Sequence, residues 1–451
     1  MYTHYTYLIN ESYFGISDPE SASIFLTDPT NFRPFYDGLT EAILHGGYHG
    51  SITNENDKIN FLYNRLRITD PSTKKDFSKT IKGWFIDKRV PKRQSRDIMF
   101  KICFALNYDY EQTEWFFGHV YFDRCCNCHI ISEAVYYYCF LNRLPYSKAK
   151  QLINSIETSS ATYCPDIQED SIYTNEYKEQ ISTFRSEDEL INYLVQHKHD
   201  FNHFNQQSKE IIENYITAIK GKGDKFNHDI IRSLKQRLTD AIKNQFTSLN
   251  CIITRAELEH CGLLIREIYK DASNESTDSC QYIYEKISGK DVFSNLFMLN
   301  SILWNNCDAP SNMDAPFVSN LPQRLIDSFP SEKTLSKTLG AIINKHTNTK
   351  EKSIDTYNSY ESIRNILILL NFYYFWCTSS LDHNYSTAEG LQYIYNTEAD
   401  ECLQTCGFEP LFPGNPYDWV FLYASNQTNP LASFRDLMRY FYFESESVDE
   451  E

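Results

Sequence analysis

Residues 74–118 read KKDFSKTIKGWFIDKRVPKRQSRDIMFKICFALNYDYEQTEWFFG, and their spacing predicts three short helices in succession. Across Ser78–Ile86, apolar Ile81, Trp84 and Phe85 recur at helical spacing beyond Phe77 and leave Ser78, Lys79 and Lys82 on the opposite side, the pattern of an amphipathic basic helix. Residues 87–94, DKRVPKRQ, read as a loop around Pro91. Ser95 then supplies an N-cap for a helix whose Ile98, Ile102, Ala105 and Leu106 face one way. Asn107 suits a left-handed C-cap, and Asp109 with Gln112 gives a capping box for a helix ending at Gly118. Between Lys74 and Lys101 ten Lys/Arg stand against three Asp, a local balance of +7 in a chain whose formal net charge is −17. An acidic chain repels nucleic acid on average, so any such contact is confined to this patch.

Working outward, composition sets the class. The 451 residues suffice for two or three compact domains. With 41% hydrophobic and 15% aromatic residues the chain has the apolar mass to fold rather than remain a polar coil. Only 15 Gly and 15 Pro, with long Leu/Ile/Lys/Glu/Gln segments, predict an all-α protein over a turn-rich β architecture. The N-terminus, MYTHYTYLINESYFG, has no basic region followed by an apolar one, and the expectation is a cytoplasmic protein. The longest apolar run, ILILLNFYYFWC from Ile366 to Cys377, is about half the length a bilayer needs and contains Asn371, so it reads as a buried helix. Thirteen cysteines, an odd and scattered set, read as reduced core thiols.

The remainder is a chain of helices. N-terminal to the basic segment the pattern predicts helices at Tyr36–Leu44 and Asp57–Leu66, broken by Asp70-Pro71. Beyond it come Glu133–Leu141, Tyr146–Ile156, Asp188–Gln196, Lys209–Ile219, His228–Phe246, Arg255–Tyr269 and Val292–Trp304. Their lengths permit a stacked helical-hairpin array, with no fixed repeat period. Polar Asn348–Asn358 suggests a boundary near residue 350. In the run CGFEPLFPGNPYDWVFLYASNQTNPLASFRDL, Gly407 can close a helix in the left-handed conformation, and Asn415-Pro416 and Asn429-Pro430 each place a side-chain cap before a helix-initiating proline. Tyr417, Trp419, Phe421 and Tyr423 between them read as core. The terminal FESESVDEE reads as a solvated acidic tail.

The segment TIKGWFIDKRVPKRQSRDIMFKICFALNYDYEQTEWF resembles the second half of a Cro/repressor-type (XRE-like) helix-turn-helix domain, with a recognition helix, a G-K-R-x-P-style loop, an R-x-x-L-x-K-I-x-x-A-L-style helix and its successor. The wider pattern, with EAVYYYCFLNRLPYSKA and GFEPLFPGNPYDW, resembles a group of uncharacterised helical proteins of low-GC Gram-positive bacteria. The first resemblance implies DNA contact, with Ser78, Lys79 and Lys82 at the start of the helix that approaches a groove. Lys88, Arg89, Lys92, Arg93 and Arg96 would position the protein on phosphates. Together these readings divide the chain into an aromatic-rich lead (1–54), a helix-turn-helix-like unit (55–120), a helical region (121–350) and a C-terminal helical region with an acidic tail (351–451).

Other chemistry has little purchase. Cys125, Cys126, Cys128 and His129 (CCNCH) offer soft ligands without a second separated pair. Cys402 and Cys406, one helical turn apart, need Cys377 or His383 brought to them, and His197, His199 and His203 lack the Glu of an H-E-x-x-H motif. No nucleophile elbow, phosphate-binding loop or dinucleotide fingerprint occurs, and KGKGDK at residues 220–225 reads as a flexible loop. The expectation is therefore a protein without metal, cofactor or catalytic activity. Two functions compete: a nucleic-acid-binding regulator whose helical region senses a peptide, protein or small ligand, and a non-enzymatic helical interaction protein, of the kind used in bacterial stress or phage defence, whose helix-turn-helix-like unit docks protein.

Overall fold

The computed structural model describes residues 13–91, 95–159, 174–198, 201, 204–221, 224–245, 249, 252–274, 279–288, 295–304, 321–329, 356–379 and 388–442. Among them the protein is all-α and no strand occurs. In chain order the helices are α1 (Pro19–Thr27), α2 (Phe35–His45), α3 (Glu55–Thr69), α4 (Phe77–Phe85), α5 (Arg96–Ala105), α6 (Tyr110–Phe116), α7 (Ile131–Leu141), α8 (Tyr146–Thr158), α9 (Thr174–Thr183) and α10 (Glu187–Gln196). There follow α11 (Phe204–Lys220), α12 (Asp224–Lys243), α13 (Arg255–His260), α14 (Leu263–Asn274), α15 (Ser279–Ser288), α16 (Asn295–Trp304), α17 (Gln323–Ser328), α18 (Thr356–Ser379), α19 (Ala388–Thr405), α20 (Pro416–Ser425) and α21 (Pro430–Tyr442).

Local chemistry accounts for most of the boundaries. Asp18 caps α1 by accepting the Ser21 N–H at 2.8 Å ahead of Pro19, and Asn54 caps α3 in the same way. The Asp109/Gln112 capping box starts α6, and Asn415 accepts the Tyr417 N–H at 2.9 Å ahead of Pro416 to start α20. Asn107 and Gly407 take left-handed conformations at φ 58° and 76°. Ser95 stands at the start of α5 but makes no side-chain cap bond. The helix expected to end at Gly118 instead runs from α6 into a π-helical turn, Phe117–Tyr121, closed by left-handed Phe122.

One expected helix is two. The span Arg255–Tyr269 is broken between α13 and α14 at Cys261-Gly262. A Cβ at Gly262 would lie 2.2 Å from the Lys220 carbonyl carbon, so the chain turns there against the end of α11, where only glycine fits.

Apolar contacts gather into two cores. The first joins α2–α10, from Phe35 to Phe201, and the second joins α11–α21 with the N-terminal segment, including Ala22 and Leu26 of α1. Phe25 stacks on Trp419 at 4.8 Å, and α1 packs along α21, so the chain begins in the second core, crosses to the first and returns. These cores cut across the four segments expected from the sequence: α7–α10 belong with the basic unit, Phe122 and Ile130 reach into the second core, and α11–α17 pack with the C-terminal helices. The apolar run of α18 is buried as expected, with Leu367, Phe372, Tyr373 and Phe375 fully inside. No helix among the described residues is long and apolar enough to cross a membrane.

Candidate functional site

The basic segment supplies the first site. Ile81, Trp84 and Phe85 are buried on one face of α4, against α3 and α2. Burial at about 1.5–3 kcal/mol per large side chain fixes which face turns outward. Lys79 and Lys82 lie on that outward face and are exposed, as are Lys74 and Lys75 in the preceding turn and Lys88 and Arg89 in the following loop. Lys79 pairs with Asp76 at 3.0 Å and Arg89 with Asp87 at 3.2 Å, both pairs largely solvated and so worth little. Lys82, Lys74 and Lys75 make no ion pair among the described residues. Lys88 adopts φ 52° and places its ammonium 4.7 Å from the Tyr36 ring centroid. Ser78 is half-buried and donates its hydroxyl to Lys75 O at 2.9 Å, so it serves the turn.

Arg96 leaves this set. The phosphate contact expected of it is ruled out by burial: the side chain is only 7% exposed and its guanidinium donates to Glu133 Oε1 at 2.7 Å, Glu133 Oε2 at 2.9 Å, Asp123 Oδ2 at 2.9 Å and Arg124 O at 2.9 Å. Burial opposes the charge, but Glu133 and Asp123 outweigh it and hold the guanidinium well above its ordinary pKa. Lys92 and Arg93 lie outside the described residues.

Arg96 instead belongs to a second gathering of charge, in the cleft where the two cores meet. The loop between the π-turn and α7, residues 122–130, sits on one side and residues 409–418 on the other. Glu133 of α7, fully buried, also accepts the Asn127 N–H at 2.7 Å and so ties the loop to Arg96. Across the cleft Arg364 of α18 makes a two-pronged pair with Asp418 of α20, at 2.8 and 2.7 Å, and Asp418 Oδ2 also accepts the Phe412 N–H. Two links join the sides: Lys178 of α9 donates to Glu409 at 2.7 Å, and Arg124 Nη2 donates to Leu411 O at 2.9 Å with its guanidinium 5.0 Å from the Phe412 ring centroid.

The CCNCH residues are structural. Cys125, Cys126 and Cys128 are buried in the first core, where burial pushes all three thiols up and keeps them protonated at neutral pH. His129 is buried edge-on to Tyr177 at 5.0 Å. Among the described residues no three His, Cys, Asp or Glu are grouped to hold a metal. Cys377 and Cys406 are buried in the second core and Cys402 is half-buried beside it. His197 packs on Tyr193 at 4.6 Å, whereas His199, His203 and His383 lie outside the described residues.

Sequence reasoning missed the cleft because its members stand up to about three hundred residues apart. A signal was present in single charges inside apolar runs: Glu133 in ISEAVYYYCF, Arg364 in IRNILILL and Asp418 in PYDWVF. Such charges fold inside only with a partner, so each announces one. No protein-family model, curated protein or solved structure matches this chain.

Proposed function

We propose that the protein is a nucleic-acid-binding regulator that meets the polyanion with the outer face of α4. The observation that supports this reading is the run of exposed cations, Lys79 and Lys82 on a helix whose opposite face is locked into the core, with Lys74, Lys75, Lys88 and Arg89 on the turns that flank it, in a chain that is otherwise strongly acidic. Their opposing carboxylates, Asp76 and Asp87, are themselves solvated and hold these cations weakly. In the helix-turn-helix reading Lys79 and Lys82 reach toward base edges, while Lys88 and Arg89, with Lys92 and Arg93 next in the chain, rest on phosphates. Residues 70–76 between α3 and α4 are longer than the three or four residues of the usual turn, a departure from the helix-turn-helix pattern. The acidic remainder confines contact to this face. Retention of mixed genomic DNA fragments at low salt tests the reading. The protein retains them and a Lys79→Ala/Lys82→Ala/Arg89→Ala variant does not; a wild-type protein showing no salt-sensitive retention removes the proposal.

A second reading, docking of the same face on an acidic protein, is favoured by Ile86, which is 42% exposed among the cations. Under that reading the protein recovers a stable partner from native lysate at moderate salt, and Ile86→Ser loses it. No partner under those conditions counts against it.

A further inference from the structure

The inter-core cleft carries more than the links between the cores. Most of its charged groups are engaged with one another, and Arg96 is shared by two carboxylates, Asp123 and Glu133. Asp123 is paired with Arg96, Glu409 with Lys178 and Asp418 with Arg364. Arg124 makes no side-chain ion pair within 4 Å among the described residues; Asp400 feels its charge but gives its hydrogen bond to the Leu411 N–H at 2.8 Å. Arg124 Nε is buried without an acceptor. Beside it Asn127 is 3% exposed, and its Nδ2 likewise has no acceptor. The amide orientation is fixed, because Asn127 Oδ1 accepts the His129 N–H at 3.1 Å, which leaves the NH2 group as the unmatched end. Both residues line the cleft.

Two buried donors without acceptors, one of them cationic, at the wall of a cleft whose carboxylates are already engaged by other donors describe a place for an acceptor that bears negative charge. The enclosed part of the cleft is about 40 Å3, room for a few waters or one small group. We propose that this cleft binds an oxyanion, a phosphate or carboxylate group of a small metabolite, on Arg124 and Asn127. The bound group accepts from Arg124 Nε and Asn127 Nδ2 while Arg124 Nη2 keeps its bond to Leu411 O. It thereby lies against the 122–130 side and steadies Arg124, whose Nη2 bond to Leu411 O crosses the junction, so that this link strengthens as the ligand's concentration rises. The inference is independent of nucleic-acid binding, because none of the α4 cations touches the cleft lining.

The experiment is titration of the full chain with sodium phosphate and, separately, sodium acetate, at ionic strength held constant with chloride, followed by calorimetry and thermal unfolding. Saturable heat and a rise in melting temperature with one of the two anions are expected, and which anion acts distinguishes the phosphate from the carboxylate source. Asn127→Asp keeps the acceptor for His129 N–H but replaces the free donor by an acceptor, and Arg124→Lys keeps the charge but removes Nε. Each weakens the anion at least about tenfold while the far-ultraviolet circular dichroism is unchanged. The Lys79→Ala/Lys82→Ala/Arg89→Ala variant binds the anion as the wild type does. Absence of saturable binding by both anions, retention of wild-type affinity in both cleft variants, or failure of the α4 variant to bind the anion overturns the proposal.

Discussion

The outer face of α4 and the cleft between the cores use the same side chains in opposite ways. On α4 and the loop after it, Lys79 and Arg89 are 82% and 74% exposed at their side chains and pair with carboxylates only two or three residues away. In the cleft, the side chains of Arg96 and Arg364 are 7% and 11% exposed and pair with fully buried Glu133 and Asp418 from distant helices. Water screens the first set, so its contribution to the fold is slight and its cations remain available to a partner. The second set is shielded, and each member is held by the penalty of leaving its partner charged and alone. A local count of lysine and arginine cannot tell the two apart: Arg96 belongs by sequence to the basic segment and by structure to the cleft.

Removing a buried partner gives the largest effect. Glu133→Ala removes two of the acceptors of Arg96, leaving it Asp123 and Arg124 O, strands the Asn127 N–H, and destabilises the first core by about 3 kcal/mol in urea titrations followed by tyrosine and tryptophan fluorescence. A destabilisation below about 1 kcal/mol shows that water replaces the carboxylate and that the cleft is as wet as the α4 face. The Lys178–Glu409 pair, the ion pair from first core to second, ranks next. A double-mutant cycle with Lys178→Met and Glu409→Gln yields a coupling of about 0.5–3 kcal/mol, and additive single effects break the claim that this pair joins the cores.

Asp70 occupies the middle ground, a buried carboxylate just behind the basic face. Burial alone raises its pKa, but hydrogen bonds from Lys101 at 2.8 Å and from Ser72 outweigh burial and hold the carboxyl well below the usual range. A depressed folded-state pKa stabilises the protein fully above the unfolded value near about 4, and this stability is lost as pH falls through the folded value. Acid titration of the wild type therefore shows a decline below about pH 4 that Asp70→Asn makes shallower. An unchanged profile removes Asp70 from the account. The smallest structural effect belongs to the surface: Lys79→Ala, Lys82→Ala and Arg89→Ala each alter stability by no more than about 0.5 kcal/mol in the same urea assay.

Where caps and apolar spacing are strong the helices were legible, since both are local, whereas α1, α9, α15 and α17 were not singled out. The starts of α6 and α20 and the left-handed closures at Asn107 and Gly407 follow from a few adjacent residues. The break at Gly262 was not, because its cause is Lys220, some forty residues upstream. Nor was the grouping of helices into two cores, which depends on α1 crossing to α21 and on which faces meet. The α4 cations were readable because amphipathic spacing fixes the outward face, whereas the partners of Arg96 lie twenty-seven and thirty-seven residues further on. Burial converted a candidate phosphate contact into an internal ion pair.

The contrast between an available and a committed set of cations is tested most directly by the salt dependence of DNA binding. In fluorescence-anisotropy titrations of a mixed-sequence duplex over a range of salt concentrations, log K falls linearly with log salt for the wild type. Arg124→Lys leaves the slope unchanged, and Lys79→Ala/Lys82→Ala/Arg89→Ala reduces its magnitude by about one for each phosphate that is no longer neutralised. A wild-type protein without salt-sensitive binding, or a triple variant that keeps the wild-type slope, contradicts the account.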